Sequence, residues 1–250
     1  MSSSELLNIP IPTASKKDIL EKIKKYVKRR GDFFHIVSLN PEIIIIANEN
    51  DEFKKVVRSA QMRIIDGVGI ILACRILGIN YGERFSGVDL MEELLALAGE
   101  LCLRVVLIGG KDNLANSLAN CYQKKYSQAK FFGLEGIKDI KNPKKDEEEK
   151  IFYIVSYFKP HLVFVAFGSP DQELWIERHK DKFKRSIVMG VGGAFDYLGG
   201  KVPRSPKILR LLGLEWLFRL IIQPWRYKRQ LRLLKFIFFI LKERLRTLFR

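Results

Sequence analysis

The 250 residues predict an α/β chain: a mainly parallel sheet with helices on both faces, followed by a C-terminal helical appendage. Three observations carry that expectation. Short apolar runs alternate with helical patterns of about 10–15 residues, the rhythm of βαβ units. The apolar runs end in glycines or small polar residues, as strands do where a parallel sheet gathers its ligands. From Lys201 onward the composition shifts. There, 14 Lys and Arg face two acids, Glu215 and Glu243, so this segment holds about +12 of the chain's net +16.

In order, Ser15–Arg30 reads as a basic amphipathic helix capped by Ser15, and Phe33–Leu39 as a buried strand. Asn40-Pro41-Glu42 opens a helix: Asn is a good N-cap, Pro fits the first turn, and Glu suits the positive end of the dipole. That signal outweighs the strand propensity of the four isoleucines that follow, Ile43–Ile46. Asp51–Ala60 is a further helix, Arg63–Ile65 a short strand, and Val68–Leu77 a helix. Another starts at Ser86-Gly87-Val88-Asp89 and runs to Ala98. Leu103–Ile108 is the clearest strand, followed by Gly109-Gly110 and a helix to about Tyr126; Phe131–Gly133 is a weaker strand. A helix led by Lys144–Lys150 reaches Phe158, and Leu162–Phe167 is a strand. Gly168-Ser169-Pro170 turns into a helix to about Lys182, and Ile187–Met189 enters the Gly190-Val191-Gly192-Gly193 loop. Residues 1–200 therefore form an α/β core and 201–250 a basic, amphipathic helical appendage.

An apolar fraction of 47% with 11% aromatics excludes disorder. Cys74, Cys102 and Cys121 are an odd set without metal-ligand spacing, read as buried free thiols in a reducing compartment. The N-terminus lacks the pattern of a signal peptide. No run approaches the ~18–20 apolar residues that span a bilayer. In the appendage, basic residues interleave with Trp216-Leu217-Phe218 and Phe236–Leu241. Such a surface suits an anionic membrane face first and a nucleic acid second.

The positions just after strands should share one rim: Asn40, Asp66, Gly109-Gly110, Gly168 to Gln172, and Gly192-Gly193. Gly109-Gly110-Lys111 and Gly190–Gly193 are each either a phosphate-approaching loop before a helix or a simple tight turn. Asp66, after a buried strand and before Gly67, is either a partly desolvated general base or an Asp-Gly turn and cap. Gln172 is placed to present its amide to a nucleotide or sugar, while Ser169 and Glu173 alone would make a capping arrangement. His35, His161 and His179 show no ligand spacing. Arg219, Arg226 and Arg229 would share a face on a continuous helix and suit a diphosphate, with Pro224 the residue that interrupts that face. Arg232, Lys235, Arg244 and Arg246 read as a solvated or lipid-headgroup face.

Across nearly its whole length the chain resembles the WecG/TagA/CpsF family of glycosyltransferases. The resemblance rests on Ser38-Leu39-Asn40-Pro41-Glu42, Asp66-Gly67-Val68-Gly69, Glu83-Arg84-Phe85-Ser86-Gly87-Val88-Asp89, Gly168-Ser169-Pro170-Asp171-Gln172-Glu173 and Gly190-Val191-Gly192-Gly193-Ala194-Phe195-Asp196. Glu215–Leu220 with Pro224, Arg226 and Arg229 completes it. It implies a modified Rossmann-like sheet and inverting transfer from a UDP-sugar to undecaprenyl-diphosphate-linked GlcNAc, with the protein peripheral on the cytoplasmic face of the bacterial cell membrane. One member type moves N-acetylmannosamine to the 4-hydroxyl for wall teichoic acid. Others move N-acetylmannosaminuronic acid or glucose-type sugars for common antigen, capsule or exopolysaccharide.

By position, the resemblance implies that Asp66 is the general base and that Ser38, often threonine in the family, and Asn40 orient the acceptor sugar. Gln172 would lie near the transferred sugar, and Arg219, Arg226 and Arg229 would stabilise the UDP leaving group or hold the acceptor diphosphate. The chain has no DxD-like pair in its rim loops, so no metal or other cofactor is expected. Ile43–Ile46 fits either a core or a subunit contact, leaving a homo-oligomer open. The competing class is a basic peripheral membrane scaffold or nucleic-acid binder. The appendage is greasier than a phosphate-tracking arm needs, and no nucleic-acid motif is present.

Overall fold

The first turn of the chain is a small hairpin. Strands β1 (Glu5–Leu6) and β2 (Ile9–Pro10) pair antiparallel around Leu7 and Asn8, both at positive φ. The sequence reading has no counterpart for it, because two-residue strands leave no periodicity to see. This computed structural model describes residues 5–29, 31–211, 213–224 and 227–248, and leaves aside the side chains of residues 207, 211, 228–230, 247 and 248.

Helix α1 (Lys16–Arg29) follows, with Ser15 Oγ accepting the Asp18 N–H at 3.1 Å and Asp18 Oδ2 accepting the Ser15 N–H at 3.0 Å. Strand β3 (Phe34–Leu39) leads to α2 (Pro41–Glu49), α3 (Asp51–Ser59), β4 (Met62–Ile65), α4 (Val68–Leu77) and α5 (Gly87–Glu100). The middle of the chain is β5 (Arg104–Gly109), α6 (Leu114–Lys125), β6 (Lys130–Leu134), α7 (Lys145–Phe158) and β7 (Leu162–Ala166). Helix α8 (Asp171–Arg178), a 3₁₀ turn at Lys180–Phe183, β8 (Ile187–Gly190) and α9 (Ala194–Leu198) complete the core. The last fifty residues supply α10 (Lys207–Leu211), α11 (Glu215–Ile222) and α12 (Tyr227–Leu248).

Six strands form one parallel sheet in the order β4-β3-β8-β7-β5-β6. Alternate residues of each strand face opposite layers. Ile36, Val105, Leu107, Phe164 and Met189 pack with α1, α5, α6 and α9. On the opposite face, Val37, Leu39 and Ile65 pack beneath α2, α3 and α4, and Val106, Ile108, Val163 and Val165 beneath α7 and α8. Both faces are covered over the interior strands β5, β7 and β8, which are almost wholly apolar, whereas the edge strand β6 alternates exposed and buried residues. The Ile43–Ile46 run is helical and buried, with Asn40 Oδ1 capping it by accepting the Ile43 N–H at 3.0 Å. These four isoleucines are core.

Two expectations are corrected. Cys74 is buried, but Cys102 and Cys121 are exposed. Cys121 falls out of phase with the buried face of α6 (Leu114, Ala115, Leu118 and Ala119), and Cys102 occupies a turn at positive φ. Arg232 and Lys235 are not a free headgroup face: Arg232 pairs with Glu42 at 2.7 Å and Lys235 with Glu49, both acids on α2. Phe236 and Ile240, on a neighbouring stripe of α12, are buried in the same apolar cluster as α2 and α4. Each contributes on the order of 1.5–3 kcal/mol to seating α12. Among the described residues, no helix is long and apolar enough to cross a membrane.

Candidate active site

A cleft of about 850 Å³ opens above the carboxyl ends of β3, β4, β7 and β8 and is closed on one side by α11 and α12. It gathers Asn40, Asp66, Gly110, Gln172, Gly192 and Gly193, as the rim pattern anticipates, together with Ser38 and Arg219, which the resemblance brought to the site. Gly109 is not in its lining. It ends β5 at φ +100°, where a Cβ would sit 2.8 Å from the Ala166 carbonyl, so it lets β5 and β7 approach.

Asp66 leaves β4 where the sheet opens: its N–H donates to Leu39 O at 2.9 Å, and its side chain turns into the cleft. Burial pushes the carboxyl up to about 6, the Glu215 and Asp89 carboxylates add to the rise, and the Arg84 guanidinium and Gly87 N–H oppose it. Glycine at position 87 favours the close fit. A Cβ there would be 3.0 Å from Ser38 Oγ and 3.6 Å from Asp66 Oδ2. Ser38 Oγ is buried beside the carboxylate without a hydrogen-bond partner among the described residues, so its bond is free for a ligand. Asn40 Oδ1 is spent on capping α2, which leaves its amide N–H₂ as the group able to meet a substrate.

Gln172 plays a part the sequence reading missed. Its Oε1 accepts from Gly168 N–H at 3.0 Å and Gly192 N–H at 3.1 Å, and its Nε2 donates to Ser169 Oγ at 3.2 Å and Glu173 Oε1 at 2.7 Å. Two acceptor and two donor positions are filled, so the amide staples the β7 and β8 loops together. The capping arrangement of Ser169 and Glu173 is also present, with Ser169 Oγ donating to Glu173 Oε1 at 2.9 Å. Glu173 is buried, its carboxyl is pushed up to about 7 by burial, and its Oε2 lacks a partner among the described residues.

The appendage supplies the cationic wall. Arg219 of α11 lies with its guanidinium carbon 4.6 Å from the Tyr197 ring centroid and an Nη2 3.8 Å from Asp196 Oδ2. That Nη2 is buried and makes no hydrogen bond among the described residues. Gly193 admits it, since a Cβ there would collide with the guanidinium. The continuous helix that a face shared by the three arginines requires is absent among the described residues: α11 ends at Ile222 and α12 starts at Tyr227, on either side of Pro224. Arg226 lies outside the described residues, and Arg229 is on α12 without a described side chain.

Arg84 is the second residue missed. Its Nε donates to the Asp66 carbonyl at 2.9 Å, its Nη1 to the Arg210 carbonyl at 3.2 Å, and its Nη2 lies 3.8 Å from Glu215 Oε2. It thus ties the strand that carries Asp66 to both α10 and α11. Arg204 makes a parallel tie to α5 through Asp89 and, at 3.0 Å, Glu92. The histidines are structural. His161 Nδ1 accepts the Arg104 N–H at 3.0 Å, His179 Nδ1 lies 2.9 Å from Trp175 O, and His35 is fully buried. Chemically, the cleft joins a proton acceptor, an unspent hydroxyl and an unspent guanidinium N–H.

The chain is similar to two bacterial enzymes named N-acetylglucosaminyldiphosphoundecaprenol N-acetyl-beta-D-mannosaminyltransferase. That of Bacillus subtilis (strain 168) is 28% identical over 243 residues, 97% of this chain and 93% of the relative. That of Staphylococcus aureus (strain NCTC 8325 / PS 47) is 28% identical over 223 residues, 89% of this chain and 85% of the relative. The sequence profile of the glycosyl transferase WecG/TagA/CpsF family matches residues 4–250. Matched to that family over residues 4–250, with a cleft at the carboxyl-end rim of a six-stranded parallel sheet, this chain belongs to the WecG/TagA/CpsF family of glycosyl transferases.

Proposed function

We propose that this glycosyltransferase moves N-acetylmannosamine from UDP-ManNAc to the 4-hydroxyl of GlcNAc in undecaprenyl-diphosphate-GlcNAc, with inversion. The observation that carries the reading is the meeting in one cleft of a buried carboxyl from the core, Asp66, and an appendage arginine, Arg219, whose Nη2 makes no hydrogen bond among the described residues. The names of the relatives support this donor and acceptor.

The chemistry follows from the two groups. Asp66 takes the proton of the acceptor hydroxyl as its oxygen attacks the anomeric carbon, and UDP leaves as the bond to its phosphate oxygen breaks. Arg219 meets the charge that develops on the diphosphate, with Arg226 and Arg229 as further cations on the same chain segment. Ser38 Oγ and the Asn40 amide orient the acceptor sugar beside Asp66, and Gly110, Gly192 and Gly193 give backbone access to the donor. No covalent nucleophile is needed, and three arginines suffice for charge neutralisation without a metal. The exposed Trp216, Leu217 and Ile221 beside the appendage's basic residues suit docking on the anionic inner face of the cell membrane, where such an acceptor resides.

The test is turnover of a synthetic prenyl-diphosphate-GlcNAc with UDP-ManNAc against UDP-GlcNAc, UDP-Glc and UDP-ManNAcA. The expected result is a kcat/KM at least roughly tenfold higher for UDP-ManNAc than for the other three. Faster turnover of another donor would reassign the sugar.

A further inference from the structure

The cleft has a polar floor and an apolar arm. On α4, Leu72 and Ile76 lie one turn apart and are 52% and 42% exposed. Leu233, Ile237 and Leu241, spaced i, i+4, i+8 on α12, line the same cavity, with Ile237 and Leu241 46% and 52% exposed. All the α4 and α12 residues that line the cleft are apolar or glycine. The neighbouring stripe of α12 is spent on the core through Phe236 and Ile240. Helix α12 therefore does two things: Phe236 and Ile240 seat it and border the cleft, and Leu233, Ile237 and Leu241 extend that wall along an open groove that runs into the site of Asp66 and Arg219. Half-exposed aliphatic side chains on two helices, continuous with a polar site, are the composition of a ligand pocket rather than of an ordinary surface.

We propose that the arm between α4 and α12 binds the first isoprene units of the acceptor's polyprenyl chain, drawing them out of the bilayer while the diphosphate lies toward Arg219. The inference rests on the proposed function, because it assigns the lipid part of that acceptor a place. Its occupant follows from continuity. A chain attached to a diphosphate at Arg219 leaves the polar floor along the one all-apolar wall of the same cavity. A stripe that merely touched lipid headgroups would have no reason to face α4 across a cleft.

The experiment is run in membrane-free buffer, with GlcNAc diphosphates carrying a five-carbon or a fifteen-carbon prenyl group below its micelle concentration. The full-length protein is expected to show a kcat/KM roughly tenfold or more higher for the longer acceptor, as burial of the added carbons predicts. Ile237→Asn should bring that ratio near one. Leu234→Asn, on the 65% exposed side of α12 outside the cleft, should leave it unchanged. Ile76→Trp, which fills the arm, should also erase the preference and guards against a folding artefact at position 237. A wild-type protein that uses both acceptors equally would overturn the groove while leaving the transferase reading intact. So would a Leu234→Asn effect as large as that of Ile237→Asn, which marks a general lipid-facing helix. No transfer to either acceptor from any donor would remove the proposed function itself.

Discussion

At the residue scale the proposed general base is Asp66, a carboxyl that burial pushes up to about 6. A general base must be unprotonated, so kcat/KM should fall as pH drops through about 6, the value to which burial raises this carboxyl. Asp66→Asn should cost roughly 10²–10⁴ in kcat while leaving UDP-sugar affinity intact, as measured by turnover and calorimetry. Near wild-type turnover would remove it from the base role. Glu215 gives a subtler test. It lies 3.8 Å from Arg84 and helps hold the Asp66 value up, so Glu215→Gln leaves Arg84 less compensated and should move the acid limb to lower pH. An unmoved limb would deny the coupling. Strand, carboxylate and glycine standing together placed Asp66 on the rim, while its role as base came from the resemblance to the family. Arg84 sat within a family motif, but its three ties reach residues up to 131 positions away, which no local pattern reveals. The position of Gln172 in the first turn was legible, but the closure of all four of its hydrogen bonds depends on how two loops meet in space.

At the scale of elements, local signals were good guides wherever caps or long periodicity existed. Asn40-Pro41 overrode four isoleucines because a capped helix start fixes backbone direction regardless of side-chain branching. The appendage was harder to read. Its later basic residues, from Arg232 onward, looked surface-facing, yet α12 lies on α2 and α4 and spends Arg232 and Lys235 on the acids of α2. Amphipathic periodicity identifies an apolar stripe but not whether protein or lipid covers it. A charge exchange tests the docking. Glu42→Arg should lower stability by up to about 1 kcal/mol, and adding Arg232→Glu should recover part of it, read by a double-mutant cycle in denaturant. Simple additivity would show that the pair contributes nothing to seating α12.

For the whole molecule, core and appendage close one site between them, and the site is held at a cost to stability. Burial raises Glu173 to about 7, above the ordinary value of 4.5, so the folded protein holds a proton there that the unfolded chain gives up. Its contribution is fully present below pH 4.5 and is lost as pH rises through about 7. Glu173→Gln should therefore raise Tm at pH 8 by more than at pH 5, as followed by thermal melts; an equal change at both values would contradict the sign. The central claim, that the appendage is part of the catalytic machinery and more than an anchor, is tested most directly by the kcat of Arg219→Ala on a five-carbon prenyl-diphosphate-GlcNAc in the absence of membrane. If Arg219 stabilises the departing diphosphate, kcat falls by roughly 10²–10³; a kcat within twofold of wild type would contradict the account.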